Sequence, residues 1–379
     1  LAILTNILTP YRMRFYNELN TQLKFMNGEL RVYVMTDELP LRPWTYEDLK
    51  ESFTQLIPGK KILIRGMDFI YNPSITREIK RFLPDIVIIA GSWTYPTVWK
   101  LLCSRRNNNV RYFFWVESHE RRAMKAKSSN KCVSAFKKYL YMKFDGYCLP
   151  GMYAEEAMDH FVGKHGQRLR LPNLVDDVSY QHAISKRKDT YELRLKYGIP
   201  AKKRVFFCPA RLLKLKGLDL FLKSAGKVKG ISKACFLLAG EGPMKKELQD
   251  IADKENLDVH FMGYCNQDTV IEFYALSDFF FLPSLQDCNP LSAIEAAFAG
   301  LPLCVSIYTG NSPELIQPYK NGVVFDILDT EEVQACIYFL LNASEEWVSN
   351  AGRESLAIAQ NSFACINETK KFLAQLREG

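Results

Sequence analysis

Two cations and two carboxylates in the second half of the chain have the types and spacing to bind phosphate and sugar hydroxyl groups. Arg211 and Lys216 follow a predicted strand at 204–208, where backbone amides and a helix N-terminus also attract phosphate. Exposed loop charges would give the same pattern. Asp287 lies on the loop after an apolar run, and Glu295 follows eight residues later near a predicted helix start. Because carboxylates accept bidentate hydrogen bonds, this pair could bind the hydroxyls of a sugar.

Backbone groups close to these side chains could extend the same site. Gly240 and Gly242 precede Pro243 and allow the backbone to approach a ligand closely, although a tight strand-to-helix turn uses the same residues. No third glycine follows, so this is not a dinucleotide-binding fingerprint. A phosphate could also meet the backbone at the start of the helix that contains Glu295, formed by Asn289, Pro290, Leu291 and Ser292.

A histidine in the first half is a further candidate. His119 follows a predicted strand at 111–117 and is one of five histidines in the chain. A polar side chain at the carboxyl end of a parallel strand suits a binding site better than a core, although an exposed loop histidine would look the same. Glu117 is a rival for the same role.

The elements that position these residues form two successive series of strands and helices. Short apolar runs closed by Gly, Pro, Ser or Asn, with helical stretches between them, indicate buried parallel strands. The first series falls at 1–5, 30–35, 85–90, 110–116, 146–150 and 169–171, and the second at 204–208, 234–239, 259–262, 278–282, 302–306 and 322–325. The pattern predicts an α/β fold with two doubly wound domains. Ligands would bind between them, at the carboxyl ends of the strands.

The predicted domain limits follow from these two series. We expect one domain over 1–178 and a second over 204–354. The segment 179–203 between them is polar and rich in Lys and Arg, which is typical of a connection, and we expect it to form the linker and the start of the second domain. The tail is helical in period, and we expect the helix at about 355–379 to pack back on the first domain.

The composition excludes several classes of protein. The chain has 379 residues, is 47% hydrophobic and 24% charged, and is therefore not disordered. Its 10 cysteines include no C-x-x-C pair, which argues against a zinc site or a redox dithiol. Its apolar runs are far shorter than the roughly 20 residues that span a bilayer. We therefore expect a cytoplasmic protein.

The net charge of +8 is unevenly distributed. Residues 1–188 carry a net charge of +12, residues 189–379 carry −4, and the segment 100–143 alone carries +10. Its central cations are Arg121, Arg122, Lys125, Lys127, Lys131, Lys137 and Lys138, and they alternate with Phe136, Tyr139, Leu140, Tyr141, Met142 and Phe144. The segment 121–144 has the composition of an interfacial helix on an anionic membrane. In the alternative, the aromatic side chains pack in the core and the cations are simply solvated.

Several motifs in the same order resemble the retaining glycosyltransferases of the group 1 family (family 4), most strongly over 204–325. The family's R-x4-K-G motif corresponds to 211–217, its G-x-G-P turn to 240–243, and its E-x7-E motif to 287–295. The segment 171–176 is similar to the family's P-N-x-V-D. The segment 6–12 departs from the usual glycine loop and resembles a P-Y-R variant.

The resemblance implies a GT-B fold, in which two Rossmann-like domains face a central cleft. It also implies roles: Arg211 and Lys216 hold the donor diphosphate, Glu295 holds the nucleotide ribose, and Asp287 holds the transferred sugar. His119 corresponds to a family histidine near the reacting sugar. The implied donor is a nucleoside diphosphate sugar, with UDP or GDP expected, and the implied acceptor is a glycan or lipid-linked molecule bound by the first domain.

The expected chemistry needs no cofactor and no metal. The sequence contains no Asp-x-Asp, the motif of a metal-bridged diphosphate site, and the two cations can neutralise the leaving group instead. Two alternatives remain open at this point. One is a nucleotide-sugar epimerase or phosphorylase of the same fold. The other is a non-catalytic basic protein that binds membrane or nucleic acid, which would leave the motifs of 206–302 unexplained. We expect no nucleic-acid partner and a location at the inner face of a membrane.

Overall fold

The computed structural model describes residues 1–37, 44–64, 67–105, 109–123 and 131–378, and strands alternate with helices along them. The strands are β1 Ala2–Thr5, β2 Arg31–Val34, β3 Thr54–Leu56, β4 Lys60–Ile64, β5 Met67–Tyr71, β6 Ile86–Ala90, β7 Arg111–Trp115, β8 Gly146–Leu149, β9 Gln167–Arg170, β10 Arg204–Pro209, β11 Ala234–Ala239, β12 Val259–Gly263, β13 Phe279–Leu282, β14 Leu303–Ser306 and β15 Gly322–Phe325.

The helices lie between these strands and after the last one. They are α1 Pro10–Phe25, α2 Tyr46–Leu49, α3 Ile75–Phe82, α4 Pro96–Cys103, α5 Lys131–Tyr141, α6 Met152–Val162, α7 Asp177–Lys186, α8 Thr190–Lys196, α9 Leu218–Ala225, α10 Lys245–Lys254, α11 Gln267–Leu276, α12 Leu291–Phe298, α13 Ser312–Leu315, α14 Thr330–Leu341, α15 Glu345–Ser362 and α16 Cys365–Arg377. Short 3-10 helices lie at Arg187–Asp189, Lys214–Lys216 and Ile231–Lys233. None of the described helices is both long and apolar enough to cross a bilayer.

The chain divides into two compact units. Unit 1 contains the described residues of 1–118, 126–173 and 365–379, and unit 2 contains those of 119–125 and 174–364. Each unit is built on its own parallel sheet, as the sequence predicts.

The sheet of unit 1 has seven strands in the order β3-β2-β1-β6-β7-β8-β9, and every neighbouring pair is parallel. Its central strands are continuous apolar runs because helices cover both faces. In β6, the side chains of Val87, Ile88 and Ile89 are fully buried. The order of the strands reverses between β1 and β6, which is where a doubly wound sheet binds ligands. A separate antiparallel hairpin, β4–β5, belongs to the same unit.

The sheet of unit 2 has six parallel strands in the order β12-β11-β10-β13-β14-β15. Closely packed phenylalanines fill its core: the centres of the tilted rings of Phe206 and Phe279 lie 4.9 Å apart, and those of the stacked rings of Phe221 and Phe281 lie 4.7 Å apart. The strand order reverses between β10 and β13. The loops that leave these two neighbouring strands carry the cations and the first carboxylate of the candidate site, so the topology brings them together.

The domain limits in the structure differ from the predicted ones. The segment 179–203, predicted as the linker and the start of the second domain, contains most of α7, a 3-10 helix and α8, and all of it belongs to unit 2, whose main segment already begins at 174. Its charges are partly internal, since Arg194 is 7% exposed and donates hydrogen bonds to the carbonyl oxygen of Leu276 and to Asp278. The tail divides between the units: α15 lies in unit 2 and α16 in unit 1.

Candidate active site

The loop after β10 carries both predicted phosphate-binding cations. Arg211 is exposed, and Lys216 lies in the 3-10 helix that ends the loop. Gly217 follows with a φ of 64°, and a Cβ atom there would come within 2.1 Å of the Pro283 carbonyl oxygen. Only glycine combines this backbone conformation with so close an approach. The loop after β10 therefore packs directly on the loop after β13, where Asp287 lies.

Asp287 is fixed by its backbone as well as by its side chain. Its carboxylate forms an ion pair with Lys216, and both side chains are largely buried. Its amide donates a hydrogen bond to the carbonyl oxygen of Tyr308 (3.1 Å), and its own carbonyl oxygen accepts one from the amide of Gly310 (2.8 Å). The structure thus brings together a residue predicted to bind the diphosphate, Lys216, and the residue predicted to bind the sugar, Asp287.

His119 contacts the backbone carbonyl oxygen of Asp287. It belongs to unit 2, is 2% exposed, and its Nε2 lies 2.9 Å from the Asp287 carbonyl oxygen. Because a carbonyl only accepts hydrogen bonds, Nε2 carries the proton. Burial lowers the pKa of His119 below its ordinary value, so the imidazole is neutral at pH 7. The segment that begins with His119 makes a second hydrogen bond to the same loop. The backbone amide of Ala123 donates to the carbonyl oxygen of Leu285 at 3.0 Å.

The rival residue Glu117 lies in unit 1. Its carboxylate forms an ion pair with Arg12, whose guanidinium lies 5.1 Å from the Trp115 ring and is 3% exposed. Arg12 is the arginine of the P-Y-R variant, so this motif positions a carboxylate at the carboxyl end of β7.

Glu295, near the middle of α12, lies against two tyrosine hydroxyls. The Tyr274 hydroxyl lies 3.0 Å from Oε2 of Glu295 and 3.1 Å from the carbonyl oxygen of Ser292. Tyr180 also donates to the carboxylate, and the two tyrosine rings lie 5.9 Å apart. Burial raises the pKa of Glu295 to about 7, although both hydrogen bonds act in the opposite direction. This carboxyl group therefore titrates close to neutral pH.

The two tyrosines are the site residues that sequence reasoning missed. Tyr180 lies in the predicted connection, and Tyr274 lies in the apolar helix α11. No local spacing relates them to Glu295. The only sequence signal is that a carboxylate among apolar neighbours at 293–297 requires a donor from elsewhere.

The glycines at the end of β11 serve close packing of loops. A Cβ atom at Gly240, whose φ is 146°, would lie 2.1 Å from the Ala210 carbonyl oxygen, and one at Gly242 would lie 2.3 Å from that of Leu212. The turn at 240–243 therefore lies directly against the loop that carries Arg211. This contact accounts for the tight turn and also supports the loop.

The start of α12 presents backbone amides close to Glu295. Pro290 precedes the helix, Asn289 is 5% exposed, and Leu291 and Ser292 form its first turn. The side-chain amide of Asn311 holds the turn by donating from Nδ2 to the Pro290 carbonyl oxygen at 3.0 Å. The first amides of a helix have no acceptor within it and favour an anion.

Unit 1 has a pocket of its own where its strand order reverses. The pocket has a volume of about 350 Å³. Its lining comes from the carboxyl ends of β1, β6 and β7 and from α5, and includes Asn6, Trp93, Tyr95, Trp115, Glu117 and Lys137. Aromatic faces beside a carboxylate, an amide and a cation can bind a hydroxylated ligand.

A cluster that could ligate a metal lies at the opposite end of the unit 2 sheet. The ligand atoms of Cys235, Asp258 and His260 lie within 4.8 Å of one another. These residues stand at the amino ends of β11 and β12, whereas Arg211 and Asp287 follow the carboxyl ends of β10 and β13. The cluster is therefore separate from the candidate site.

Residues 189–354 match the sequence model of the family described as glycosyl transferases group 1. This match contains the cations, carboxylates and glycines of the candidate site in unit 2, whereas His119 and Tyr180 lie before it. The resemblance to group 1 glycosyltransferases that the motifs indicate is thus confirmed over these residues.

Curated proteins of known sequence match parts of this chain. The chain is 31% identical over 193 residues to a sulfoquinovosyl transferase of Arabidopsis thaliana, a match that covers 49% of this chain and 36% of the relative. The chain spans less than two thirds of the length of the leading curated relatives: the matches to three of them, this one included, cover 35%, 61% and 36% of the relatives' own lengths.

The solved structures match over the whole chain. Sucrose-phosphate synthase of Thermosynechococcus elongatus has a TM-score of 0.76 at 15% identity and covers 100% of this chain and 98% of its own. HepE of Anabaena, in complex with UDP and glucose, has a TM-score of 0.72 at 15% identity and covers 100% and 99%. Such low identity establishes the fold alone, and the fold is GT-B with two Rossmann-like units, as predicted.

Proposed function

We propose that the chain transfers a sugar from a nucleoside diphosphate sugar to a glycan or lipid-linked acceptor, with retained anomeric configuration and without a metal ion. The observation that carries this proposal is the ion pair between Lys216 and Asp287 in the group 1 domain. It joins a cation suited to a diphosphate with a carboxylate suited to a sugar, at the carboxyl ends of two neighbouring strands.

Unit 2 holds the donor in this proposal. Lys216 and Arg211 bind the diphosphate, and the amides at the start of α12 add to the positive potential there. Glu295 accepts hydrogen bonds from the nucleotide ribose, and Asp287 binds the transferred sugar. The main catalytic contribution is stabilisation of the leaving diphosphate, because negative charge develops on it as the glycosidic bond breaks.

Metal independence rests on the two cations. A diphosphate bound without a metal needs positive charge from the protein, and Lys216, next to Asp287, and the exposed Arg211 on the same loop supply it. Retention rests on the motifs that the chain shares with retaining transferases. We propose UDP or GDP as the nucleotide, and the UDP and glucose in the HepE complex illustrate such a donor on this fold.

Unit 1 holds the acceptor. Its pocket at the carboxyl ends of β1, β6 and β7 offers Trp93 and Tyr95 for stacking on a sugar or other ring, and Glu117 for a hydroxyl group. Arg12 orients Glu117 through their ion pair. Orientation of the acceptor hydroxyl is then the second contribution of the protein, because a correctly held nucleophile reacts faster.

A nucleotide screen followed by product analysis tests the proposal. We expect one of UDP, GDP and ADP to raise the melting temperature most, because a ligand that binds only the folded state stabilises it. Nucleotide sugars with that base are then mixed with the protein and candidate acceptors. Transfer gives a glycosylated acceptor and a free nucleoside diphosphate. An epimerised nucleotide sugar, or a sugar phosphate formed only with inorganic phosphate, would contradict it in favour of the epimerase or phosphorylase alternative.

A further inference from the structure

The hairpin β4–β5 exposes apolar side chains on both of its faces. All residues of β4 are exposed, and the exposed fractions reach 57% for Ile62, 67% for Leu63 and 49% for Ile64. Neighbouring side chains of a strand point to opposite faces, so Leu63 faces one way and the two isoleucines face the other. Exposed apolar clusters of this kind mark interaction sites.

The exposure is built into the fold because the second strand of the hairpin is firmly anchored. Ile70 in β5 is 1% exposed and packs in the core of unit 1. The Thr97 hydroxyl donates to the Ile70 carbonyl oxygen, and the Asn72 side-chain amide donates to the carbonyl oxygens of Met35 and Ile57, all at 2.8–2.9 Å. β5 is therefore held on the core, and β4 projects from its outer edge.

The apolar surface continues from the hairpin through α4 to α5. Tyr71, at the end of β5, is 40% exposed, and the Lys100 ammonium lies 5.4 Å from its ring centre. The neighbouring Trp99 packs edge-to-face on Phe136 of α5 at 5.4 Å. The hairpin and α5 therefore both pack against the same helix, α4.

Helix α5 adds an exposed apolar row with cations beside it. Val133, Phe136 and Tyr139 are 47%, 40% and 56% exposed and follow one another at intervals of three residues, which aligns them along the helix. Lys131 and Lys138 are exposed on the same helix. The sequence prediction for 121–144 was wrong for three of its apolar residues, which are buried in the core of unit 1: Leu140, Tyr141 and Phe144.

The basic cluster predicted for 121–144 is also divided. Arg121 and Arg122 belong to the segment of unit 2 that contains His119, whereas Lys131, Lys137 and Lys138 lie on α5 in unit 1. Lys125 and Lys127 lie outside the described residues. Among the described residues of the predicted interface, an exposed apolar row therefore lies on α5.

We propose that the hairpin β4–β5 and helix α5 form one docking surface for an anionic lipid bilayer. The hairpin carries apolar side chains on both faces, and lipid can surround both, whereas a second protein chain would cover one face or one edge. Cations flank the surface, as anionic headgroups require: Lys60 and Lys61 on β4, Lys100 on α4, and Lys131 and Lys138 on α5. Lys61 also forms an ion pair with Asp68 of β5 at 3.5 Å.

The depth of docking follows from the backbone. The outer edge of β4 is not paired with any described strand, and unpaired peptide groups are costly in the hydrocarbon core. The hairpin therefore lies at the interface, where water still reaches this edge. Helix α5 lines the acceptor pocket with Lys137 and Tyr141, so docking would bring that pocket next to the lipid. The docking itself needs no donor and is independent of the proposed transfer.

Vesicle co-sedimentation of the full chain tests this surface. The probes are phosphatidylcholine vesicles with and without phosphatidylglycerol. We expect binding that rises with phosphatidylglycerol and falls with salt. The triple variant Ile62→Ser/Leu63→Ser/Ile64→Ser should bind the vesicles at least roughly tenfold more weakly than the wild type, because it loses the inserted side chains. Lys131→Gln/Lys138→Gln should lose the preference for anionic lipid.

Matched controls keep this test decisive. The variant Tyr191→Ser/Leu195→Ser/Leu328→Ser removes three equally exposed apolar side chains of unit 2 and should bind vesicles as the wild type does. Melting curves confirm that each variant is folded. Equal vesicle binding by the hairpin variant and the wild type would overturn the proposal. So would a wild-type chain that ignores vesicles and forms a dimer that the hairpin variant dissociates, because the surface would then bind a second copy.

Discussion

Lys216 and Asp287 form an ion pair where the loop after β10 packs on the loop after β13. The charges neutralise each other in a largely buried position, so neither is an unpaired buried charge. A diphosphate would give Lys216 a second anionic partner, and Asp287 would then be available to the sugar. In the proposed function, the pair therefore links the two halves of a nucleotide-sugar donor within one contact.

Removal of Lys216 should slow transfer strongly. In Lys216→Ala the leaving diphosphate loses a cation in a partly buried site, and we expect the rate to fall by about 10² or more. Initial rates with saturating donor measure this. Lys223→Ala, which removes an exposed lysine of α9, should react at the wild-type rate. Equal rates in Lys216→Ala and Lys223→Ala would exclude Lys216 from the donor site.

Glu295 should make nucleotide affinity depend on pH. Its pKa lies at about 7, and only the ionised carboxylate accepts hydrogen bonds from both ribose hydroxyls. Affinity for the nucleoside diphosphate should therefore rise as the pH increases from 6 to 8, and Glu295→Gln should bind weakly with a flatter profile. Calorimetric titrations at several pH values measure both. A Glu295→Gln variant that binds as tightly as the wild type at pH 8 would contradict the ribose role.

The same pKa predicts the opposite trend for stability. Folding raises the pKa of Glu295 from its ordinary value of 4.5 to about 7, so the folded state holds the proton more tightly than the unfolded state does. This contribution to stability is complete below pH 4.5 and is lost as the pH rises through 7. Glu295→Gln should thus gain in melting temperature relative to the wild type between pH 5 and pH 8. An unchanged difference would show that Glu295 does not titrate there.

His119 should act by positioning Asp287. It donates to the Asp287 backbone and is almost fully buried, so His119→Ala should lower kcat by roughly tenfold through displacement of the loop, with little change in nucleotide affinity. His119→Gln retains a donor at a similar reach and should restore much of the rate with an unchanged pH profile. If His119 instead exchanges protons in the reaction, both variants will be equally slow, and the pH dependence of kcat that is due to His119 will disappear in both.

The tail helix α16 should be necessary for the stability of unit 1. Phe372 is fully buried and packs on Phe15 of α1 at 6.1 Å, and Glu368 in the same helix forms an ion pair with Arg170. Phe372→Ala should cost about 3–5 kcal/mol of unfolding free energy. Denaturant titration measures it, with the exposed Ile366→Ala as control. A loss below 1 kcal/mol would contradict this packing.

The sequence predicted what depends on local order and failed where distant segments meet. Two series of apolar runs predicted two parallel sheets, and the reversal of strand order explains why Lys216 and Asp287 meet. The contact of His119 with Asp287 spans 168 residues, and no local pattern indicates it. Tyr180 was likewise missed because a charged segment resembles a connection until a buried partner such as Glu295 is known.

The helical segment after β7 shows the same limit in another form. Its alternating cations and aromatic residues predicted one continuous amphipathic surface. Tyr141 and Phe144 pack instead against Phe114 at 5.0 and 5.2 Å, while Phe136 and Tyr139 are exposed. Which side of a short helix faces the core depends on neighbouring strands, and composition does not contain that information. The hairpin β4–β5 was not predicted because its apolar runs are short and the residues that hold it on unit 1 are distant in sequence.

Release of nucleoside diphosphate from a nucleotide sugar tests the central claim most directly. The donor is the one whose nucleotide gives the largest thermal stabilisation, and the assay compares the wild type, Lys216→Ala and Lys223→Ala. The proposed function predicts nucleoside diphosphate release together with a glycosylated acceptor for the wild type and Lys223→Ala, and at least a hundredfold slower release for Lys216→Ala. No release by the folded wild type from any UDP, GDP or ADP sugar that it binds would contradict it.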